Sequence, residues 1–223
     1  MKYRDKIIAY FDACPEGFVV AADELYEKHF SKMSEAAFFK ALERLANEKV
    51  IVRAAKGMYM KHPSNDSEDV LNYFFGEDNK NGMFTGGRLY KKYGITDEIS
   101  QEICLYSNRI KKDTCNIGNI HVKRVDIELS YENTRVIEAL EILQNYDRIS
   151  GLNKHKFARF ARQFSRGYSD EAAVCVLKSM KYKKSTIAFM KKILDMYKVP
   201  NSLQQFLSHA SRYKIPPVQR VAR

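Results

Sequence analysis

SEAAFFKALERLANEKVIVRAAKGMYMK, residues 34–61, holds two hydrophobic periods in succession. Up to Asn47 the apolar positions Phe38, Ala41, Leu42 and Leu45 recur at i, i+3, i+4 and i+7, the spacing of one buried helical stripe. Ser34 stands where a helix needs a hydroxyl acceptor for its first free N–H groups, and Glu35 suits the positive end of the helix dipole. Beyond Asn47 the pattern becomes strand-like. Val50–Ala54 and Gly57–Lys61 read as two strands, with Ala55-Lys56 between them and Gly57 free to take a positive φ in the turn.

Upstream, Lys2–Ala13 reads as a helix with Tyr3, Ile7, Ile8 and Phe11 on one side, stopped by Pro15 and Gly17. Phe18-Val19-Val20 is a short extended piece. Asp23 and Glu24 open a brief second helix through Leu25 and Tyr26, and Ser31-Lys32-Met33 makes the turn into the helix begun at Ser34. Three short helices followed by a two-stranded ribbon are the parts of a winged helix-turn-helix.

Downstream, residues 63–81 are polar and acidic around an apolar centre and read as a linker entering a short helix. A helix is expected near Gly87–Tyr93, then strands near Ile103–Ser107, Arg109–Thr114 and Ile117–Val125. From Asn133 the pattern is helical. Asn133, Asn153, Ser169 and Ser185 are the expected N-caps of four helices, and Gly167 is expected to close the second. The inward stripes are Val136/Ala139/Leu140/Leu143, Phe157/Phe160/Ala161/Phe164, Ala173/Val176/Leu177/Met180 and Phe189/Ile193/Met196. The expected fold class is therefore α+β: a winged helix-turn-helix over 1–63, then a C-terminal domain over 64–223. That domain combines a mixed α/β segment (strands within 82–130) with a helical bundle (helices within 133–210).

Charge indicates the partner. The formal net charge is +11, distributed as +2 over residues 1–64, −3 over 65–132 and +12 over 133–223. A basic excess of this size suits an acidic partner such as nucleic acid, although lysines on solvated helix faces give the same count. The last helix of a helix-turn-helix enters the major groove by its N-terminal end. Its candidate groove residues here are Lys32, Ser34, Lys40 and Arg44. The ribbon offers Arg53, Lys56 and Lys61 to phosphates, which fix position without reading sequence. A second basic surface, Lys154, Lys156, Arg159, Arg162 and Arg166, lies on the second of the C-terminal helices. The expected partner is double-stranded DNA from the protein's own promoter region, bound by a monomer or a homodimer. The rival reading is a winged helix that docks another protein.

Other function classes find little support. No apolar run approaches the ~20 residues that span a bilayer, so no membrane partner is expected. The start of the chain lacks the pattern of a secretion signal, and a cytoplasmic location is expected. Cys14, Cys104, Cys115 and Cys175 are widely spread and read as reduced packing residues. The five histidines show no ligand spacing, so neither metal nor cofactor is expected. Thr85-Gly86-Gly87-Arg88 lacks the phosphate-loop pattern, follows no clear apolar strand and reads as a turn. Asp126 and Glu128 alternate on an expected strand, which would suit a metal-dependent nuclease, but a solvent-facing strand explains them better. The chain reads as a regulator and not an enzyme.

ALERLANEKVIVRAAKGMYMKHP (41–63) resembles the recognition-helix and wing segment of the AbiEi-type antitoxins, winged-helix regulators of type IV toxin–antitoxin pairs. Leu42, Leu45, Glu48, Ile51, Arg53, Gly57 and Tyr59 fill that family's run, with Lys49 where glycine is usual. LYSNRIKK (105–112) resembles its later strand-turn, and Thr85-Gly86-Gly87 through Gly94-Ile95 the segment before it. The resemblance implies an autorepressor and antitoxin, functionally linked to a nucleotidyltransferase-like toxin without a tight complex being required.

Overall fold

The computed structural model describes residues 3–62, 67–76, 78–208 and 211–218. The chain divides into two compact units, Met1–Glu77 with Cys115–Gly118, and Asp78–Thr114 with Asn119–Arg223. Sequence patterning had placed a boundary after residue 63, whereas the first unit also takes in the helix that follows.

The first unit starts with α1 (Tyr3–Ala13), whose Ile7 and Phe11 are fully buried. Tyr3, expected on the same stripe, is exposed. Strand β1 (Val20–Ala21) leads into α2 (Ala22–Leu25), which continues as a π-helical turn over Tyr26–Phe30. Next come α3 (Glu35–Asn47), β2 (Val52–Ala55), β3 (Met58–Met60) and α4 (Ser67–Phe75). The three strands form an antiparallel sheet ordered β1-β3-β2, with a register irregularity between Arg53 and Ala55. Gly57 turns the hairpin at φ +80°. Phe38, Leu42 and Leu45 of α3 close onto Ile7, Phe11 and Leu25, and Phe30 stacks on Phe38 with ring centroids 5.3 Å apart.

The end of α3 explains an odd residue. Lys49 sits at φ +59°, its N–H donates to Ala46 O, and the N–H of Val50 donates to Leu45 O. This is a Schellman closure, in which the residue after the C-cap takes a left-handed conformation that favours glycine. Gly94 (φ +62°) closes the helix over Gly86–Lys92 in the same way, with Ile95 donating to Tyr90 O. So does Lys198 (φ +59°) after the helix over Lys184–Met196, with Val199 donating to Leu194 O.

The second unit is built on β4 (Gly82–Thr85), α5 (Gly86–Lys92), β5 (Ile103–Ser107) and β7 (Ile120–Arg124). β5 pairs antiparallel with β4 and parallel with β7. The strand β6 covers Thr114–Ile117, so the strand expected over Arg109–Thr114 begins where that segment was to end. The pattern misled there because Lys111, Lys112 and Asp113 are an exposed turn with no alternating face. The reading that no strand precedes Gly86 is also corrected: β4 ends at Thr85, and its Met83 is buried.

Four helices complete the unit: α6 (Tyr131–Asn145), α7 (Lys154–Arg166), α8 (Asp170–Ser179) and α9 (Lys184–Met196). Asn153 and Ser169 cap α7 and α8 as expected, their side chains accepting from His155 and Lys156 N–H and from Ala172 N–H. The other two expected caps are corrected. Ser130 caps α6, accepting from the N–H of Asn133, whose own side chain turns back to Glu128 O. Lys183 precedes α9 with no side-chain cap, so Ser185 lies inside that helix. Gly167 ends α7 at φ −112°, not in the left-handed region. A Cβ there would lie 2.4 Å from the Arg135 guanidinium, which would have to shift.

Helix α6 is the axis of this unit. Every residue from Val136 to Leu143 is buried, including Glu138 and Glu141. Phe157, Phe189 and Tyr146 pack around it with ring centroids 4.7–6.2 Å apart. Buried carboxylates need partners. Tyr93 OH donates to Glu138 at 2.5 Å, Lys92 Nζ pairs with it at 2.6 Å, and Tyr106 OH donates to Glu141 at 2.8 Å. Burial, then the Glu141 carboxylate, raises the hydroxyl pKa of Tyr90 to about 12 and pushes those of Tyr106 and Tyr182 higher still. For Tyr93, burial and the hydrogen bond to Glu138 act together in the same direction.

Candidate nucleic-acid interface

Within residues 31–61 of the first unit, Lys32, Ser34, Lys40, Arg44, Arg53 and Lys56 are all exposed. The Ser34 hydroxyl accepts from Ala37 N–H at 3.3 Å and so fixes where α3 begins. Lys32 lies in the turn before it, and Lys40 and Arg44 follow on the exposed side, one turn apart. Because Phe38, Leu42 and Leu45 are buried on the other side, these cations point to solvent. Arg53 on β2 and Lys56 in the hairpin turn are also exposed. None of these five cations is held in an ion pair with a described residue.

Lys61 differs from the rest of the ribbon. It is half-buried and pairs with Asp12 of α1. Its charge is thus already compensated within the first unit, a pairing that spacing along the chain gives no means of seeing. Tyr59 packs beneath the ribbon, its hydroxyl pKa raised by burial while Arg53 acts to lower it. A groove of about 300 Å³ runs between the end of α3 and β2, lined by Glu43, Asn47, Lys49 and Arg53 among others.

The second basic surface belongs to the second unit. α7 contains no acidic residue at all. At 100° per residue, His155, Arg159, Arg162 and Arg166 fall in one stripe about 16 Å long, given a rise of 1.5 Å per residue. Lys154, Arg159 and Arg166 are exposed with no ion pair to a described residue, Arg162 is half-buried, and Lys156 pairs with Asp97 at 3.2 Å. The opposite face buries Phe157, Phe160, Ala161 and Phe164.

The nuclease-like pair is not assembled. β7 ends at Arg124, so Asp126 and Glu128 follow the strand and do not alternate on it, and Asp126 is ion-paired to Arg124 at 2.6 Å. Among the described residues no group of three His, Cys, Asp or Glu side chains could hold a metal ion. Cys14, Cys104, Cys115 and Cys175 are free thiols. Burial raises the pKa of Cys14 and Cys104, which keeps them protonated and poorly nucleophilic. No described helix is long and apolar enough to cross a membrane.

Sequence patterning missed Arg135, Glu138 and Glu141. The stripe assigned to α6 named only Val136, Ala139, Leu140 and Leu143 and left both glutamates outside it. The available signal was the chain's 14 tyrosines, hydroxyl-bearing rings able to satisfy buried carboxylates.

No protein-family model matches the chain, and no curated protein matches it. The crystal structure of the RV2827C protein from Mycobacterium tuberculosis is similar over 96% of this chain and 83% of that one, at 13% identity and a TM-score of 0.42. So distant a likeness carries no argument about fold or activity.

Proposed function

We propose that this protein is a DNA-binding transcriptional regulator whose first unit acts as a winged helix-turn-helix, with α3 as the recognition helix and the β2–β3 hairpin as the wing. The observation that carries the reading is the set of cations with no ion pair to a described residue, Lys32 in the turn before α3, Lys40 and Arg44 along it, and Arg53 and Lys56 on the hairpin, all exposed on one short segment. A helix with free cations near its start suits the major groove, and a basic ribbon beside it suits the flanking phosphates. The operator is the DNA upstream of the protein's own gene. The antitoxin role, linked to a nucleotidyltransferase-like toxin, rests on the resemblance of residues 41–63 and 85–112 to the AbiEi-type family, and direct toxin binding is not part of it. The basic stripe of α7 supplies further phosphate contacts.

The test is fluorescence anisotropy on upstream DNA beside a scrambled duplex across a salt series. Each neutralised phosphate contributes about −0.9 to the log–log slope. A preference of ~100-fold for the upstream duplex is expected, with a slope steepened by the α7 cations. No preference and a shallow slope would refute the reading. They would favour the winged helix as a protein-docking module, a reading that the ion pairs Arg4–Glu48, Lys28–Glu24 and Lys61–Asp12 support by compensating cations of the first unit internally.

A further inference from the structure

The second unit contains a cavity of about 700 Å³, walled by α5, α6, α7 and the chain before α6. This is the size of pockets that take small organic ligands. The rings of Tyr93, Tyr131, Phe160 and Phe164 line it with Leu129, and so does the buried residue Glu138. The charges around it are largely settled: Asp78 pairs with Lys80 at 2.9 Å and Glu138 with Lys92 at 2.6 Å, while Glu128 is exposed at the rim.

Arg135 is the exception. Its guanidinium donates only to neutral acceptors, Tyr131 OH at 3.1 Å and Gln163 O at 3.3 Å, and lies over the Tyr131 ring, 5.5 Å from its centroid. It has no carboxylate partner among the described residues. The place it occupies is one that a side chain at 167 would fill, and the φ of Gly167 is one that any residue adopts. A Cβ at 167 would push the guanidinium out of this position. A half-buried arginine that is held in position, unpaired and facing a cavity is a preorganised anion site, and its planar fork matches phosphate.

We propose that this cavity binds a nucleoside monophosphate. The phosphate pairs with Arg135 beside the Thr134 hydroxyl, the base packs against the aromatic wall, and Glu138 accepts a hydrogen bond from an N–H of the base. The proposal is independent of DNA binding by the first unit.

Isothermal titration of the full-length protein with the four ribonucleoside 5′-monophosphates, the matching nucleosides and inorganic phosphate tests it. At least one monophosphate is expected to bind one-to-one and at least tenfold tighter than both its nucleoside and inorganic phosphate. Arg135→Gln and Gly167→Ala should each weaken that binding at least tenfold, while Glu171→Gln, on the exposed face of α8, leaves it unchanged. If Arg135→Gln loses its cooperative melt, Gly167→Ala carries the test, because it displaces the guanidinium without removing it. Inorganic phosphate or the nucleoside binding as tightly as the monophosphate would overturn the proposal. So would undiminished binding in a folded variant, or no binding at millimolar ligand.

Discussion

Replacing Lys49 by glycine should stabilise the protein, although glycine within a helix normally does the opposite. Lys49 lies at φ +59° in the Schellman closure of α3, and a left-handed residue with a Cβ costs about 1–2 kcal/mol. Two effects oppose the gain. Glycine adds unfolded-state freedom worth about 0.4–1 kcal/mol, and removal of a cation from a helix C-terminus loses about 0.3 kcal/mol. The expected net gain is about 0.5 kcal/mol. Lys198→Gly, at φ +59° after α9, should gain as much, and the pair should add because the two sites share no partner. Gly94→Ala is the mirror experiment, since it introduces a Cβ at φ +62° with only ordinary contacts to Lys156, and should cost about 1 kcal/mol. The assay is urea unfolding followed by far-UV circular dichroism, since the chain has no tryptophan. Were α3 to continue through residue 49, Lys49→Gly would instead destabilise by about 1 kcal/mol, and that sign would refute the reasoning.

Other predictions concern the interface and the tyrosines. Lys32→Ala and Lys40→Ala should weaken binding to upstream DNA more than to scrambled DNA, whereas Lys56→Ala should weaken both alike; anisotropy that finds equal losses for all three would remove readout from α3. Lys61→Ala should change DNA affinity less than Lys56→Ala, because Asp12 already compensates Lys61. Tyr90, Tyr93, Tyr106, Tyr168 and Tyr182 have folded pKa values raised above 10, so their contribution to stability is complete below pH ~10 and is lost as pH rises through the folded values. Absorbance at 295 nm should show these tyrosines ionising only as the protein unfolds. Asp170 behaves in the opposite sense. Burial disfavours its charge, but hydrogen bonds from Ser202 and Tyr168 outweigh burial and lower its pKa, so this contribution is present above the ordinary aspartate pKa and is lost on acidification through the lowered one. Asp170→Asn should flatten the acid limb of a stability–pH curve.

Where one face of an element meets the core, periodicity located it. The stripes of α3, α7 and α8 and the strand Ile103–Ser107 are legible because a burial pattern repeats along them. β4 was not, because its four residues are too few to display a period and two of the residues around it are glycines. On α6 the stripe Val136, Ala139, Leu140 and Leu143 is buried as expected, but the burial of the residues beside it was not legible, for the opposite reason. With all sides covered it has no polar face to compare with, and its two glutamates imitate one. Among the site residues, exposure followed from position on α3. The capture of Lys61 by Asp12 and the seating of Arg135 against Gly167 depend on residues 49 and 32 positions apart, and local pattern carries no information at that range.

The tyrosine–glutamate contacts on α6 also constrain how this sequence can change over time. Phenylalanine at 106 leaves a buried carboxylate short of a donor, while leucine at 141 leaves a buried hydroxyl without its acceptor, at roughly 1–3 kcal/mol for either alone. Both changes together exchange a polar contact for an apolar one of similar shape at little net cost. Positions 106 and 141 are therefore bound into joint inheritance: a lineage crosses from one state to the other by a double step, or through an intermediate that survives only with stability to spare, whereas Glu138 is tied to both Tyr93 and Lys92 and a change there involves three positions.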